Sequence, residues 1–169
     1  MQTGDLVSFG AYQWRVLDIK DGKALLLSDQ ILATSAYGEH SAWEECELRR
    51  FLNEQFYVNS FSAAEQARIA EVEALGRIFL LSAEEVVRYF GDSGQLASGK
   101  MYIDDEFNAA RAAYDGSSGA ASWWWLRAPG DTANTAVCVG DDGCIYVYGH
   151  GVTTGAGAGG VRPALWAEI

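Results

Sequence analysis

The sequence predicts an α+β fold, with strands at both ends of the chain and helices in the middle. Residues 5–28 contain three apolar runs separated by Gly10-Ala11 and Asp21-Gly22. An Asp-Gly pair between two apolar runs is the strongest short-range signal of a β-hairpin. The C-terminal third returns to strand-like runs. Strands, then helices, then strands are typical of α+β domains, so we expect the two terminal segments to meet in one sheet.

Three serines mark helix starts in the middle of the chain. Each has a glutamate three positions later, the spacing of a capping box in which the two side chains satisfy free backbone N–H groups. The pairs are Ser41 with Glu44, Ser62 with Glu65, and Ser82 with Glu85. The acidic stretch 104–106 follows these helices, and we expect it to be solvent-exposed and not a metal site.

Asp142-Gly143 is the turn signal of the C-terminal third, and we expect a two-residue type I′ hairpin there. Under that prediction Cys138 faces Val147, and the thiols of Cys138 and Cys144 point to opposite faces of the sheet. Together with Cys46 these are the three cysteines of the chain, and their spacing predicts neither a disulfide framework nor a zinc site.

Charge and hydropathy exclude several partners. The net charge of −11 argues against nucleic acid, which needs a basic face, and against anionic lipid. No apolar run approaches the roughly 20 residues of a membrane span, and residues 1–5 do not resemble a signal peptide. We therefore expect a soluble chain, either cytoplasmic or displayed through a removed leader or a partner.

Catalytic and cofactor motifs are missing from the sequence. Residues 155–160 fit G-x-G-x-x-G, but the dinucleotide fingerprint opens a helix, whereas Pro163 and a predicted strand follow here. The ligand spacing of a calcium loop is absent around 141–143. His40 and His150 are not accompanied by a Ser or Cys in a nucleophile-elbow setting. We expect a non-catalytic protein without cofactor or metal.

Six segments carry a resemblance to a known family: FGAYQWRVL (9–17), LRRFLN (48–53), FSAAE (61–65), FLLSAEEV (79–86), WWLRAPG (124–130) and GVRPALW (160–166). In this order they resemble bacterial and phage-associated C-type-lectin-like domains, a family that includes variable proteins of diversity-generating retroelements. The resemblance implies a single C-type-lectin-like domain over 1–169, a loop-rich C-terminal binding face and a variable region at about 122–166. The calcium and sugar motifs of true lectins, Glu-Pro-Asn and Trp-Asn-Asp, are absent.

Retroelements of this kind leave a compositional trace. A reverse transcriptase misreads template adenines, so that AAY codons become NNY, which never encodes Trp, Gln, Lys, Glu or Met. None of these five residue types occurs in 126–165. Glycine-rich β-loops are also poor in Glu, Lys and Gln, because those residues favour helices, so composition alone leaves both explanations open.

The resemblance implies two sets of positions in this region. The fixed positions would be Val139, Asp142, Gly143, Ile145, Gly149 and Val152. The exchanged positions, which would bind the ligand, would be Thr132, Ala133, Asn134, Thr135, Gly140, Asp141, Cys144, Tyr146, Val147, Tyr148, His150, Gly151, Thr153 and Thr154. Strand alternation agrees in part, since it places Cys144, Tyr146 and Tyr148 on one face.

Three functional hypotheses follow. The first is a ligand-binding module, the hypervariable target protein of a retroelement, whose segment 131–158 binds a protein or another macromolecular surface. The second is a fixed structural or adhesion module of the same fold. The third is a relative of the formylglycine-type cysteine oxidases, which requires the sulfurs of Cys138 and Cys144 to lie within bonding reach.

Overall fold

The computed structural model describes residues 1–169 and has a mixed α+β fold. Its strands are β1 (Leu6–Phe9), β2 (Tyr12–Lys20), β3 (Lys23–Ser28), β4 (Ala33–Ser35), β5 (Tyr102–Ile103), β6 (Ala113–Tyr114), β7 (Ala121–Ser122), β8 (Trp124–Pro129), β9 (Thr135–Val139), β10 (Ile145–Gly151), β11 (Gly159–Val161) and β12 (Ala164–Glu168). Its helices are α1 (Glu47–Phe51), α2 (Tyr57–Ser60), α3 (Ala63–Gln66), α4 (Ala83–Phe90) and α5 (Asn108–Arg111). A π-helical turn, Leu52–Phe56, joins α1 to α2, and short 3₁₀ turns lie at Trp43–Glu45 and Thr154–Ala156.

The first sheet has four antiparallel strands in the order β1-β2-β3-β12. It confirms that strands from the two ends of the chain meet in one sheet. The turn between β2 and β3 is the predicted two-residue hairpin, because Lys20 pairs with Lys23. Asp21 and Gly22 both have positive φ, 51° and 74°, as a type I′ turn requires.

The second sheet has six strands in the order β4-β11-β8-β9-β10-β5. The pair β8–β11 is parallel and the other four pairs are antiparallel. Strands β6 and β7 form a separate two-stranded sheet. Most of the C-terminal third therefore belongs to a different sheet from the N-terminal hairpins.

Two of the three predicted capping boxes are present. Ser62 with Glu65 and Ser82 with Glu85 make both reciprocal hydrogen bonds. The prediction for Ser41 is wrong, because its hydroxyl donates to the carbonyl oxygen of Ala133 at 2.9 Å, and the 3₁₀ turn that follows has Ala42 at its N-cap and no side-chain cap. Helix α1 begins after Cys46, whose sulfur accepts a hydrogen bond from the backbone N–H of Arg49.

Residues 159–168 connect the two large sheets, since β11 belongs to the six-stranded sheet and β12 to the four-stranded one. Arg162 lies at the corner between them and is 4% exposed. Its Nε donates to the carbonyl oxygen of Ser28 at 2.9 Å, and its guanidinium lies over Trp124 and Phe90 at 4.9 and 5.7 Å from the ring centroids. Burial lowers the pKa of Arg162 to about 10. The residue is thus part of the core.

Large aromatic side chains fill the interior. Trp14, Trp124 and Trp125 are fully buried. Their indole N–H groups all have partners, as buried tryptophans usually do, and that of Trp125 donates to the carbonyl oxygen of Ser35 at 2.9 Å. Trp166, by contrast, is only half-buried. No helix combines the length and apolarity that crossing a membrane would require.

Replacing Trp125 by alanine should lower the free energy of unfolding by about 3–5 kcal/mol, because the change leaves a cavity and an unpaired carbonyl group at Ser35. Chemical denaturation followed by circular dichroism measures this. The control is Tyr114→Ala, an aromatic truncation at a side chain that is 52% exposed, which should cost much less. Equal costs for the two variants would contradict the assignment of Trp125 to the core.

Candidate functional site

An open cleft of about 350 Å³ lies on the six-stranded sheet beside the hairpin of β9 and β10. We call it the aromatic cleft; its lining residues are Trp123, Cys138, Gly140, Asp141, Tyr146, Tyr148, Gly149 and His150. Five of the predicted exchanged positions therefore meet at one cavity. Trp123 and Cys138, which the prediction did not place in a binding site, complete its wall.

The turn at the tip of this hairpin differs from the prediction. Ile145 pairs with Val139, and the N–H of Gly140 donates to the carbonyl oxygen of Cys144 at 2.8 Å, which leaves residues 141–143 as a three-residue loop. Gly143 has a φ of 85° and its N–H donates to the carbonyl oxygen of Gly140, whereas Asp142 does not have positive φ. The loop is thus a type I turn followed by a left-handed glycine. The Asp142 carboxylate stabilises it by accepting a hydrogen bond from the N–H of Cys144 at 3.0 Å.

The extra loop residue changes which residues face one another. Cys138 lies opposite Tyr146 and not opposite Val147, so the predicted register was wrong by one residue. Cys138 and Cys144 therefore lie on the same side of the sheet, and the prediction that their thiols point to opposite faces is wrong. All three cysteines are nevertheless free and buried. Burial raises the pKa of Cys138 to about 12 and also raises the pKa of Cys144, which keeps both thiols protonated at neutral pH.

A bulge in β10 directs its side chains into the cleft. Tyr146 pairs with Cys138 and His150 with Ala136, so β10 has two more residues than β9 in this stretch. The N–H groups of Val147 and Tyr148 both donate to the carbonyl oxygen of Met101, at 2.9 and 3.2 Å. Bulges of this kind re-aim side chains near functional sites. The side chain of Tyr148 is accordingly 40% exposed.

Gly149 makes this bulge possible. Its φ is 91°, and a Cβ atom at this position would lie 2.9 Å from the carbonyl oxygen of Ala136. Any other residue would therefore be strained here. The positive φ and the close approach of the Ala136 carbonyl group explain why position 149 is a glycine.

Aromatic rings form most of the cleft wall. The rings of Trp123 and His150 stack, with centroids 4.5 Å apart and planes within 1°. Tyr146 and Tyr148 lie at 84° to each other with centroids 5.7 Å apart, and Tyr102 packs edge-on against Tyr146 at 5.2 Å. Trp123 was not among the predicted site residues, although it lines the cleft. Strand alternation separates Trp123 from Trp124 but not from Trp125, which is fully buried, so the sequence alone could not identify it.

A buried ion pair supports the hairpin tip from below. Arg111 is fully buried, and its Nη2 lies 2.6 Å from Oδ1 of Asp105, whose side chain is 4% exposed. Its Nε donates to the carbonyl oxygen of Gly143 at 2.8 Å. The expectation that the whole stretch 104–106 is solvent-exposed is therefore wrong for Asp105. Burial would raise the pKa of Asp105, but hydrogen bonds from Arg111 and Ser93 outweigh it and hold the pKa below its usual range.

The exchanged positions divide by exposure. Seven are exposed: Thr132, Ala133, Asn134, Asp141, Tyr148, Thr153 and Thr154. Five are half-buried: Thr135, Tyr146, Val147, His150 and Gly151. The remaining two, Gly140 and Cys144, are buried, although the backbone of Gly140 lines the aromatic cleft.

Contacts within and beneath the hairpin explain why Gly140 and Cys144 are buried. A Cβ atom on Gly140 would lie 2.6 Å from the ring of Tyr146 and 2.7 Å from the Asp142 carboxylate. The Cys144 thiol accepts a hydrogen bond from Nδ2 of Asn108 at 3.4 Å beneath the loop. Among the fixed positions, by contrast, Val139, Gly143, Ile145 and Val152 are buried, Gly149 is half-buried and Asp142 is exposed. The arrangement has no group of three or more His, Cys, Asp and Glu side chains that could hold a metal ion.

Replacing Asp105 by asparagine should lower the free energy of unfolding at pH 7 by about 3–5 kcal/mol, because it leaves the Arg111 charge buried without a counter-ion. Since the pKa of Asp105 is lower in the folded state, its stabilisation is complete above the unfolded pKa of about 3.9 and is lost as the pH falls through the folded value. The difference between wild type and variant should therefore shrink below about pH 4. Denaturation at several pH values measures this, with Glu106→Gln as the exposed control. A difference that does not depend on pH would contradict the ion pair.

The chain matches the model of the family described as Domain of unknown function (DUF6273) over residues 21–169. No curated protein and no solved structure matches it. The matched range includes every residue of the aromatic cleft and of its supporting ion pair. The chain therefore belongs to the DUF6273 family.

Proposed function

We propose that this protein is a non-catalytic ligand-binding module of C-type-lectin-like fold. Its binding surface is the aromatic cleft together with the adjoining loops of segment 131–158, and its ligand is a protein or another macromolecular surface. We further propose that the gene is the hypervariable target of a diversity-generating retroelement. The observation that carries the proposal is that four of the six fixed positions are buried, whereas twelve of the fourteen exchanged positions are exposed or half-buried.

Backbone hydrogen bonds support the segment independently of the exchanged side chains. The N–H of Val152 donates to the carbonyl oxygen of Asn134 at 3.0 Å, and the N–H of Asp131 donates to that of Tyr148 at 2.9 Å. Such bonds tolerate any L-residue with suitable φ and ψ. Twelve of the fourteen exchanged positions remain after Gly140 and Cys144 are removed, and all twelve are exposed or half-buried.

The chemistry of the surface also favours binding. Tyrosine and tryptophan supply large, rigid contact areas at low entropic cost, and small residues such as Thr and Gly adapt around them. Tyr146, Tyr148 and Trp123 lie together at the cleft, and Thr153 and Thr154 are exposed nearby in sequence. This combination resembles the composition of antibody loops.

A fixed adhesion module is the second candidate, and one observation favours it. His150 stacks on Trp123, and Tyr146 packs between Tyr102 and Tyr148, so these exchanged positions have specific partners. A surface that must accept many residue types gains nothing from such pairs.

The cysteine oxidase hypothesis is weaker, because its thiols would have to ionise and their burial opposes this.

The nucleotide sequence around the gene distinguishes the two candidates. Under the retroelement proposal, a nearby repeat copies the 3′ end of the gene and differs from it only at template adenines, beside a reverse-transcriptase gene. We expect the differing codons to include Tyr148, Thr153 and Thr154 and to spare Gly140 and Cys144. If neither a repeat nor a reverse transcriptase is present, the fixed module is correct.

Substituting Tyr146, Tyr148, His150, Thr153 and Thr154 together by Ser or Asn should leave the fold intact. Surface replacements usually change the free energy of unfolding by no more than about 0.5 kcal/mol each, so the five-fold variant should lose less stability than Trp125→Ala. The same variant should lose binding in a screen against bacterial surface material, because aromatic side chains dominate such interfaces. A melting curve beside the screen measures both properties. Unfolding of the variant would show that these side chains are part of the core architecture.

A further inference from the structure

We infer that the aromatic cleft binds a quaternary ammonium group that has no anionic group beside it, such as the side chain of a trimethylated lysine. This inference rests on the proposed function, because it takes the cleft as the ligand-binding surface and names the class of ligand. It is carried by the orientation of the aromatic rings and by the charge of the lining residues.

The rings provide two walls at right angles. Tyr146 and Tyr148 stand at 84° to each other, and the stacked pair of Trp123 and His150 lines the same cavity. Ring faces carry partial negative charge and attract cations that lie within about 6 Å of the ring centroid. Alkylated ammonium groups are weakly hydrated and match such a cage better than a bare ammonium does.

Charge complements this geometry. Asp141 is the one carboxylate on the cleft wall, it is exposed, and none of the lining residues is Lys or Arg. Asp142 lies next to it in the loop, and the chain as a whole carries a net charge of −11. These charges attract a cation and repel a phosphate or carboxylate. The cleft should therefore prefer choline or trimethyl-lysine to phosphocholine.

Aromatic walls also occur in sugar-binding sites, but the polar groups here suit a sugar less well. A sugar ring needs several donors and acceptors around its hydroxyl groups. The lining side chains offer one carboxylate, two tyrosine hydroxyls, the indole N–H of Trp123, and His150, whose Nδ1 already lies 3.3 Å from the carbonyl oxygen of Gly151. A quaternary ammonium group uses both the ring faces and the negative charge of the wall and needs no hydrogen-bond partner.

Titration calorimetry and the fluorescence of the tryptophans test the inference. The probes are choline, a peptide containing trimethyl-lysine, phosphocholine, and 3,3-dimethylbutanol, the neutral isostere of choline. Choline and the peptide should bind about five- to thirtyfold more tightly than the neutral isostere, the range between an exposed and a desolvated cation–π contact. Phosphocholine should bind more weakly than choline. Tighter binding of the peptide than of choline assigns the ligand to a protein side chain, and equal binding assigns it to the free group.

Two pairs of variants separate local from general effects. Asp141→Asn should weaken choline binding several-fold, whereas Asp21→Asn, the same charge change in the β2–β3 turn, should not. Tyr148→Leu removes a π face but keeps an apolar side chain, and it should weaken binding more than Tyr114→Leu does. Asp141, Tyr148, Asp21 and Tyr114 are all exposed, so each variant should fold, which a melting curve checks.

The inference is overturned if the neutral isostere binds as well as choline, if the Asp141 and Asp21 variants behave alike, or if neutral sugars bind where choline does not. None of these results bears on the proposed function, whose test is whether the five-fold variant folds and loses its ligand. If that variant unfolds, the proposed function is wrong. Choline binding by the wild type would then still support a cation site with fixed residues.

Discussion

The buried guanidinium of Arg162 holds together the corner at which the chain passes from one large sheet to the other. It lies between Trp124 and Phe90 and donates to the carbonyl oxygen of Ser28, so it contacts β8, the end of α4 and the end of β3. Gly160 pairs in parallel with Trp124, and Leu165 pairs with Leu26. Segment 131–158 is therefore fixed at both ends. Strand β8 precedes it, strand β11 follows it, and these two strands are neighbours in the sheet. The stability of this segment depends on the contacts at its two ends and on the residues packed beneath it, and depends less on its outward side chains.

A second buried charge, that of Arg111, holds the tip of the β9–β10 hairpin in place. Arg111 takes its counter-ion from Asp105 and donates to the carbonyl oxygen of Gly143, so the loop 141–143 rests on α5. Gly143 cannot be replaced, since a Cβ atom there would overlap the carbonyl group of Asn108. The aromatic cleft is thus supported by polar contacts at its base, which leaves its rings and the Asp141 carboxylate free to face a ligand. Such support is what a binding site needs to hold its geometry.

Local sequence signals predicted the fold class and the first hairpin, and their failures have identifiable causes. The Asp-Gly dipeptides at 21–22 and 142–143 were both predicted to form two-residue hairpin turns, but only the first does so. At the second site Asp142 bonds to Cys144 and Gly143 is pressed against Asn108, contacts that no local pattern records. Ser41 likewise bonds to Ala133, 92 positions away, and starts no helix. Twelve of the fourteen exchanged positions are exposed or half-buried, whereas the burial of Cys144 and Asp105 and the place of Trp123 at the cleft depend on tertiary packing.

The central claim is that the outward side chains of segment 131–158 are energetically separate from the fold beneath them. Two libraries test it directly, one randomising Tyr148, Thr153, Thr154, Asn134 and Asp141, and one randomising the buried positions Val139, Gly143, Ile145 and Val152. Each is displayed, treated with protease and sequenced, since resistance to cleavage reports the folded fraction. The account predicts that most members of the first library survive and that survivors of the second return close to the native residues. Similar survival in both libraries would contradict it.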